Sequence, residues 1–292
     1  MTDLLQHLVD IVSLASLYAL LALPVALIYG IMSLVNFAHG ELIMIGAYAL
    51  FLLGALVLPL LLFLVLLAVI AAALSMERTA FRPVRGVSPE TLLVTSFALS
   101  FLLQNLALLL FGSRPKSIDT PSGLTGVFEV AGARIDYLDA LSFGMAVVCI
   151  GGLALFLRRT KFGVQMQAAS EDFMMARLLG VRANSVIAAA FAVSGALAGI
   201  AAFLLVAQGG SAYPTIGLAV VIIAFVATMM GGLGSLTGSI LGAAILGGTT
   251  VLLDVVLPES LRPTRDAFLY AAVLLLLLIR PDGLAPMKRE RV

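Results

Sequence analysis

The chain from Ala183 to Leu253 reads ANSVIAAAFAVSGALAGIAAFLLVAQGGSAYPTIGLAVVIIAFVATMMGGLGSLTGSILGAAILGGTTVLL and contains no charged residue. At about 1.5 Å of rise per helical residue, it is long enough to cross a hydrocarbon core of about 30 Å about three times. The stretch 11–75 is similar, because its only formally charged residue is Glu41. Over the whole chain 62% of residues are hydrophobic and 11% are charged, whereas a soluble domain carries about 25% charged residues. The sequence therefore predicts an integral membrane protein.

The apolar runs favour helices over a barrel. Backbone groups in lipid must be satisfied internally, and barrel strands alternate apolar and polar residues, whereas these runs are continuously apolar. We predict an all-α, polytopic transmembrane helical bundle of about 8–9 spans in one domain, residues 1–292. The segments 24–40 and 231–238 are candidates for broken or re-entrant helices. The predicted crossings are 11–31, 36–54, 57–75, 91–111, 138–157, 186–207, 216–231, 235–256 and 267–280.

The distribution of Lys and Arg orients these crossings. With an odd number of crossings, 12 of the 17 basic residues fall on one face and 5 on the other. Because cytoplasmic loops are enriched in Lys and Arg, the sequence predicts the N-terminus outside and the C-terminus in the cytoplasm. The loop 112–139 is then external and 158–185 cytoplasmic. The basic residues of the cytoplasmic face are Arg78, Arg82, Arg85, Arg158, Arg159, Lys161, Arg177, Arg182, Arg280, Lys288, Arg289 and Arg291, and those of the other face are Arg114, Lys116, Arg134, Arg262 and Arg265.

The cytoplasmic loop contains a candidate amphipathic helix. Its sequence EDFMMARLLG, Glu171–Gly180, has Asp172 near the start and Gly180 as a stop, with Met175, Leu178 and Leu179 on one side. Such a helix is either a surface helix or a docking element for a partner.

Polar residues inside the membrane are functional candidates, because they are costly there. The densest cluster is Asn36-Phe37-Ala38-His39-Gly40-Glu41. If this segment begins a half-helix, its free N–H groups form an anion- or carbonyl-binding end. Alternatively, His39 and Glu41 lie at the cytoplasmic interface and cap the helix. A second polar site is the pair Gln104-Asn105, which either holds helices together through hydrogen bonds or faces a water-filled path.

Glycine spacing predicts close helix packing. The series Gly195-x-x-x-Gly199 and Gly234-x-x-x-Gly238-x-x-x-Gly242 place small residues on one helix face. Packing is the simpler interpretation of these glycines, and a direct substrate role is the alternative.

Several expected features of other protein classes are missing from the sequence. It has no G-x-x-x-x-G-K-[ST] nucleotide loop, so ATP hydrolysis, if used, belongs to another chain. It has no nucleophile–base pair and no metal cluster, and its single cysteine is Cys149. Glu41 is the only carboxylate available for ion coupling at the midplane. We therefore expect no enzyme activity, no metal and no cofactor in this chain.

Six segments along the chain form a recognisable pattern. They are Tyr29–Tyr48 (YGIMSLVNFAHGELIMIGAY), Glu77–Arg85 (ERTAFRPVR), Phe101–Asn105 (FLLQN), Ala168–Gly180 (AASEDFMMARLLG), Gly231–Gly238 (GGLGSLTG) and the closing Pro281-Asp282-Gly283. In this order, and over nearly the whole chain, they resemble the permease subunits of bacterial branched-chain amino acid ABC importers, in particular the shorter of the two permease types.

The resemblance implies a multi-pass permease of the bacterial inner membrane. Its implied partners are a second, similar permease in a heterodimer, two cytoplasmic ATPases and a periplasmic substrate-binding protein. It also assigns the cytoplasmic helix to ATPase coupling, with Glu171, Asp172, Ala176, Leu179 and Gly180 as the coupling residues. The predicted substrate path consists of Asn36, Phe37, His39, Gly40, Glu41, Gln104, Asn105 and Phe225.

Two departures from the family pattern concern the substrate. The stretch Val164–Gln167 lacks the basic residues that are common there, and Ile223 stands where a Lys often precedes the pair Ala224-Phe225. The predicted function is ATP-driven import of branched-chain or related small amino acids. The alternatives are import of urea or short amides, or, in a different class, a passive channel or ion-coupled carrier.

Overall fold

The computed structural model describes residues 2–119, 126–130 and 132–285. The predicted loop residue Ser122 and the basic residues Lys288, Arg289 and Arg291 lie outside these ranges. The helices are α1 (Thr2–Met32), α2 (His39–Leu53), α3 (Leu58–Met76), α4 (Arg82–Val84), α5 (Pro89–Phe111), α6 (Tyr137–Arg159), α7 (Lys161–Glu171), α8 (Phe173–Leu178), α9 (Ala183–Gly209), α10 (Ile216–Gly231), α11 (Leu236–Val256) and α12 (Arg265–Ile279). A π-helical turn, Glu77–Phe81, joins α3 to α4, and a 3₁₀ turn, Arg262–Thr264, precedes α12.

Within the described residues, six helices are long and apolar enough to span a membrane. Two shorter apolar helices, α2 and α10, accompany them. The predicted polytopic helical membrane protein is therefore confirmed. The six long spans are Leu4–Met32, Leu58–Val84, Pro89–Phe111, Tyr137–Arg159, Ala183–Gly209 and Leu236–Val256.

The prediction of an all-α chain needs a correction at the loop 112–139. Strand β1 (Lys116–Ser117) pairs antiparallel with β4 (Ser211–Ala212), which follows α9, and β2 (Val127–Val130) pairs with β3 (Ala133–Asp136). These short ladders satisfy backbone groups that have no helical partner. They mark one end of the bundle, called here the strand end; the opposite end, which carries α7 and α8, is called the α8 end.

The helix break predicted within 24–40 is present, and it does not fall at Pro24. Helix α1 continues through Pro24 to Met32, and the interruption comes at residues 33–38. Ser33 has a positive φ of 50°, which ends the helical path there. The second candidate, 231–238, is a turn and not a re-entrant helix, since α10 ends at Gly231 and α11 begins at Leu236.

The packing role predicted for the glycines is confirmed. Gly195 and Gly199 face α3, where an added Cβ at Gly195 would lie 2.9 Å from the Cβ of Ala73. On α11, Gly242 faces α10, and its Cβ would lie 2.0 Å from a backbone oxygen of that helix. Gly234 does not belong to this helix face, because it lies in the turn before α11 with a φ of +82°.

The short helices α2 and α10 begin next to each other in the interior of the bundle. A Cβ on Gly40 would lie 2.1 Å from the carbonyl oxygen of Gly217, and a Cβ on Gly217 would lie 2.5 Å from the oxygen of Gly40. His39, the first residue of α2, contacts Ser194 near the middle of the 27-residue α9. Two helix N-termini, which carry partial positive charge, are therefore buried together at mid-depth in the bundle.

Candidate functional site

A buried carboxylate lies at the start of α2. Glu41 is 0% exposed, and its Oε1 accepts hydrogen bonds from Ser100 Oγ at 2.8 Å and from Gln104 Nε2 at 2.7 Å. Gln104 Nε2 also donates to Ser100 Oγ at 3.1 Å. Among the described residues, the other carboxyl oxygen, Oε2, has no partner. The two hydrogen bonds from α5 therefore hold this side chain in place and leave one oxygen free.

Two further polar side chains of the segment are buried with unused hydrogen-bonding groups. His39 is 1% exposed and Asn36 is 3% exposed. His39 Nδ1 lies 3.2 Å from Ser194 Oγ, whereas its Nε2 and the side-chain Oδ1 and Nδ2 of Asn36 have no partner among the described residues. Because a buried, unsatisfied polar atom costs about 1–3 kcal/mol, this concentration makes the segment the candidate functional site of the chain.

The interpretation of His39 and Glu41 as interfacial helix caps is wrong. The N-cap of α2 is Ala38, and no side chain caps this end of the helix. Both residues are buried among α2, α5 and α9 instead.

An aromatic group packs beside this polar cluster. The ring of Phe37 stacks on Phe97 with centroids 4.1 Å apart and lies 5.0 Å from the ring of Phe225 on α10. The backbone N–H of Phe37 donates to Ser96 Oγ at 3.3 Å. The interrupted segment 33–38 is thereby held between α5 and α10, and Phe225 joins the residues that precede α2.

The neighbours Gln104 and Asn105 point in different directions. Gln104 reaches inward to Glu41, whereas Asn105 is exposed and its Nδ2 donates to the carbonyl of Phe101, one turn earlier, at 2.7 Å. Both line a cavity of about 370 Å³ toward the strand end. The cavity is bounded by Phe101, Gln104, Asn105, Leu108, Ser113, Pro115, Tyr213, Pro214 and Thr215.

The sequence reasoning missed the serines that complete the cluster. Ser96 and Ser100 are buried on α5, and with Gln104 they form a series at i, i+4 and i+8. This spacing places all three on one helix face. A polar stripe on an otherwise apolar helix could therefore have been predicted from the sequence. Ser194 carried no comparable signal, because only the fold brings it to His39.

The segment predicted as the coupling helix is helical over Phe173–Leu178. Asp172 is its N-cap and accepts a hydrogen bond from the N–H of Met175 at 2.8 Å. Gly180 ends it with a φ of +90°, its N–H bonding to Arg177 O and that of Val181 to Ala176 O, both at 3.0 Å. These two backbone hydrogen bonds form a Schellman motif, which requires a left-handed backbone conformation at the glycine position.

One residue of the predicted coupling set faces inward. Ala176 is 3% exposed and belongs to the core, so it supports the helix from within and offers no surface to a partner. Glu171 and Asp172 are exposed, as is Gly180. The outward surface of α8, called here the α8 face, consists of Met174, Met175, Leu178 and Leu179, which are 53–79% exposed.

A buried ion pair stabilises the α8 end of the bundle. Arg85 pairs with Glu77, whose side chain is 5% exposed, and Arg85 Nη1 donates to Asn184 Oδ1 at 2.9 Å. The pair joins the turn after α3 to the first residues of α9. The matching segment 77–85 therefore has a structural role in this chain, because it fixes the start of the helix that follows α8.

These features together define a class. Several apolar helices, two short helices that begin inside the bundle, and a buried polar cluster connected to a cavity are typical of a membrane transport permease. A family model described as "Branched-chain amino acid transport system / permease component" matches residues 7–278. The chain belongs to this family and is therefore a transport component and not an enzyme.

Characterised relatives match over nearly the full length. The chain is 36% identical over 298 residues to the high-affinity branched-chain amino acid transport system permease protein BraD of Pseudomonas aeruginosa, covering 96% of this chain and 95% of that protein. It is 34% identical over 296 residues to LivH of Escherichia coli K12 and 33% identical over 294 residues to LivH of Salmonella typhimurium, each covering 96% of this chain and 94% of the relative. Both LivH proteins carry the same functional description as BraD.

Proposed function

We propose that this chain is the membrane-spanning permease subunit of an ATP-driven importer for branched-chain or related small amino acids. The observation that carries the proposal is the near full-length match to permeases whose names specify high-affinity branched-chain amino acid transport. The buried cluster of Glu41, Ser100 and Gln104 supports it, because small polar groups inside an apolar bundle mark a substrate pathway.

The proposed complex lies in the bacterial inner membrane and contains four kinds of subunit. A second, homologous permease pairs with this chain as a heterodimer, two cytoplasmic ATPases supply the energy, and a periplasmic binding protein delivers the substrate. The α8 face supports the ATPase contact, because four large apolar side chains are exposed on a short helix with a defined N-cap and C-cap. ATP binds in the partner subunits in this proposal.

The proposed substrate path follows the start of α2. It runs from the cavity at Gln104 and Asn105 to the segment 36–41, beside Phe37 and Phe225. Gly40 allows α10 to approach within backbone contact, so the two short helices form one joint element at mid-depth. A change in their contact would open or close the path between the two ends of the bundle.

The proposed topology has nine crossings, with the strand end outside and the α8 end in the cytoplasm. The nine are the six long helices, α12, and α2 and α10 with their extended lead-in segments. Reporter tags fused after residue 292 and within 158–185 are expected to be cytoplasmic, and a tag at Ser122 periplasmic, because 12 of 17 basic residues would then be inside. Alkaline phosphatase and green fluorescent protein fusions measure this. A cytoplasmic signal from the Ser122 site would overturn the orientation.

The substrate is tested by uptake into liposomes that contain the purified complex. We expect ATP-dependent uptake of L-leucine, while acetamide and urea at the same concentration neither enter nor compete. The physical reason is the apolar lining of the path, which gives a leucine-type side chain a buried surface that urea does not have. Preferential uptake of urea or acetamide would replace the amino acid assignment while leaving the importer class intact.

A further inference from the structure

The cavity at the strand end has a lining of mixed chemistry. Gln104, whose amide donates to Glu41, and Thr215, the N-cap of α10, both line it. Phe101, Leu108 and Pro115 supply apolar surface to the same cavity. Its volume of about 370 Å³ falls within the range of about 300–1,000 Å³ typical of small-molecule sites.

Glu41 fixes the orientation of the Gln104 amide. A carboxylate can only accept hydrogen bonds, so the Gln104 Nε2, 2.7 Å from Glu41 Oε1, must point inward. The acceptor oxygen Oε1 of Gln104 is then left for a donor outside the cluster. Among the described residues, Glu41 Oε2 also has no partner, so the cluster retains unused acceptor capacity toward a ligand that donates hydrogen bonds.

Thr215 favours a negative group. It is exposed, and among the described residues its side chain makes no capping hydrogen bond to α10, so its hydroxyl is available to a ligand. The N–H groups of the first helical turn point toward the helix start, and the macrodipole adds partial positive charge there.

We propose that this cavity binds an α-amino acid as a zwitterion, with the ammonium group on Gln104 Oε1, the carboxylate at Thr215 and the start of α10, and the apolar side chain against Phe101, Leu108 and Pro115. The inference rests on the proposed function and identifies the site at which the permease itself recognises its substrate. A molecule that lacks either charged group loses at least one charge-assisted hydrogen bond and binds at least about tenfold more weakly.

Protection of an introduced thiol tests the site in the full-length chain within membranes. The natural Cys149 is replaced by alanine, and Ser113→Cys places one reporter thiol in the cavity lining. The matched control is Ser260→Cys, an exposed serine in the turn after α11 and away from the cavity. The rate of modification by a small, water-soluble methanethiosulfonate is measured with L-leucine, leucinamide, 4-methylpentanoate or urea. Leucinamide lacks the carboxylate, and 4-methylpentanoate lacks the ammonium group.

L-leucine at about ten times its dissociation constant is expected to slow modification of the Ser113→Cys thiol about tenfold, because the free fraction of sites falls by that factor. At the same concentration the three other compounds should leave the rate nearly unchanged, and no compound should protect the Ser260→Cys thiol. Adding Gln104→Leu should remove the protection by leucine. If the Gln104→Leu variant fails to fold, the comparison among the four compounds in the Ser113→Cys protein still tests the proposal.

The proposal is overturned if leucine gives no protection, or if leucinamide, 4-methylpentanoate or urea protects as well as leucine. Failure of the site and failure of the proposed function are distinguishable. Leucine uptake by the reconstituted complex without protection of the Ser113→Cys thiol would refute this site and leave the importer assignment standing. Absence of both would refute the site and the assignment together.

Discussion

Replacing Gly40 by alanine is expected to lower the stability of the full-length protein by about 1–3 kcal/mol or more, because the added methyl group has no space. Its Cβ would lie 2.1 Å from the oxygen and 2.6 Å from the carbon of the Gly217 carbonyl, and 3.0 Å from the Cβ of Val221. The nearest atoms are backbone, so no side-chain rotation relieves the contact. Gly217→Ala meets the same obstacle from the other side, and the two short helices must separate in either variant.

The matched control is Gly144→Ala in α6, where no described atom outside the adjoining turns of its own helix lies within 4 Å of the added Cβ. There alanine should be neutral or stabilising by about 0.5–1 kcal/mol, since glycine weakens a helix interior. Stability is measured by heating the solubilised, fluorescently tagged protein and following the monodisperse peak on size exclusion. Equal melting temperatures for Gly40→Ala and the natural protein would contradict the backbone contact between α2 and α10.

The long apolar helices could be predicted from the sequence because the bilayer imposes a single requirement on them, an apolar length sufficient to span it. Helix α10, Ile216–Gly231, coincides with a predicted crossing, and α9 and α11 lie within a few residues of theirs. The glycine series also indicated packing correctly, because small residues at four-residue spacing have few other uses inside a membrane.

The interior start of the short helices could not be predicted in the same way. The polar neighbours of Gly40 do not reveal that its Cα faces a backbone while that of Gly144 faces open space, since this depends on which helix lies opposite. The same holds for Ser194, which contacts His39 across 155 residues of sequence. The break after α1 was predictable, since the predicted crossings 11–31 and 36–54 leave a gap at 32–35 and the chain leaves the helical path at Ser33.

The orientation of side chains on α8 was only partly predictable. Asp172 and Gly180 indicated the ends of the helix through their capping chemistry, and both roles are present. The inward position of Ala176 depends on how α7 and α8 pack, which a six-residue helix does not encode in its periodicity. Leu178 and Leu179, which are 77% and 79% exposed, are consequently better test positions than Ala176.

Leu178→Asp is expected to abolish coupled transport while leaving folding and membrane insertion unchanged. The side chain makes little contact within this chain, so aspartate costs little there. In an apolar docking groove the same carboxylate would be desolvated without a partner, at a cost of about 2 kcal/mol or more. Leu179→Asp should act in the same way. Leu261→Asp is the matched control, because Leu261 is also exposed but lies in the turn before α12 at the opposite end of the bundle.

The most direct test of ATP-driven import is to measure leucine uptake and ATP hydrolysis side by side in liposomes containing the natural complex, Leu178→Asp and Leu261→Asp. The natural complex and Leu261→Asp should take up leucine only with hydrolysable ATP, and the binding protein should stimulate their hydrolysis. Leu178→Asp should lose both uptake and stimulation. Leucine uptake that continues without ATP, or that is undiminished in Leu178→Asp, would contradict the account and indicate a passive channel or an ion-coupled carrier.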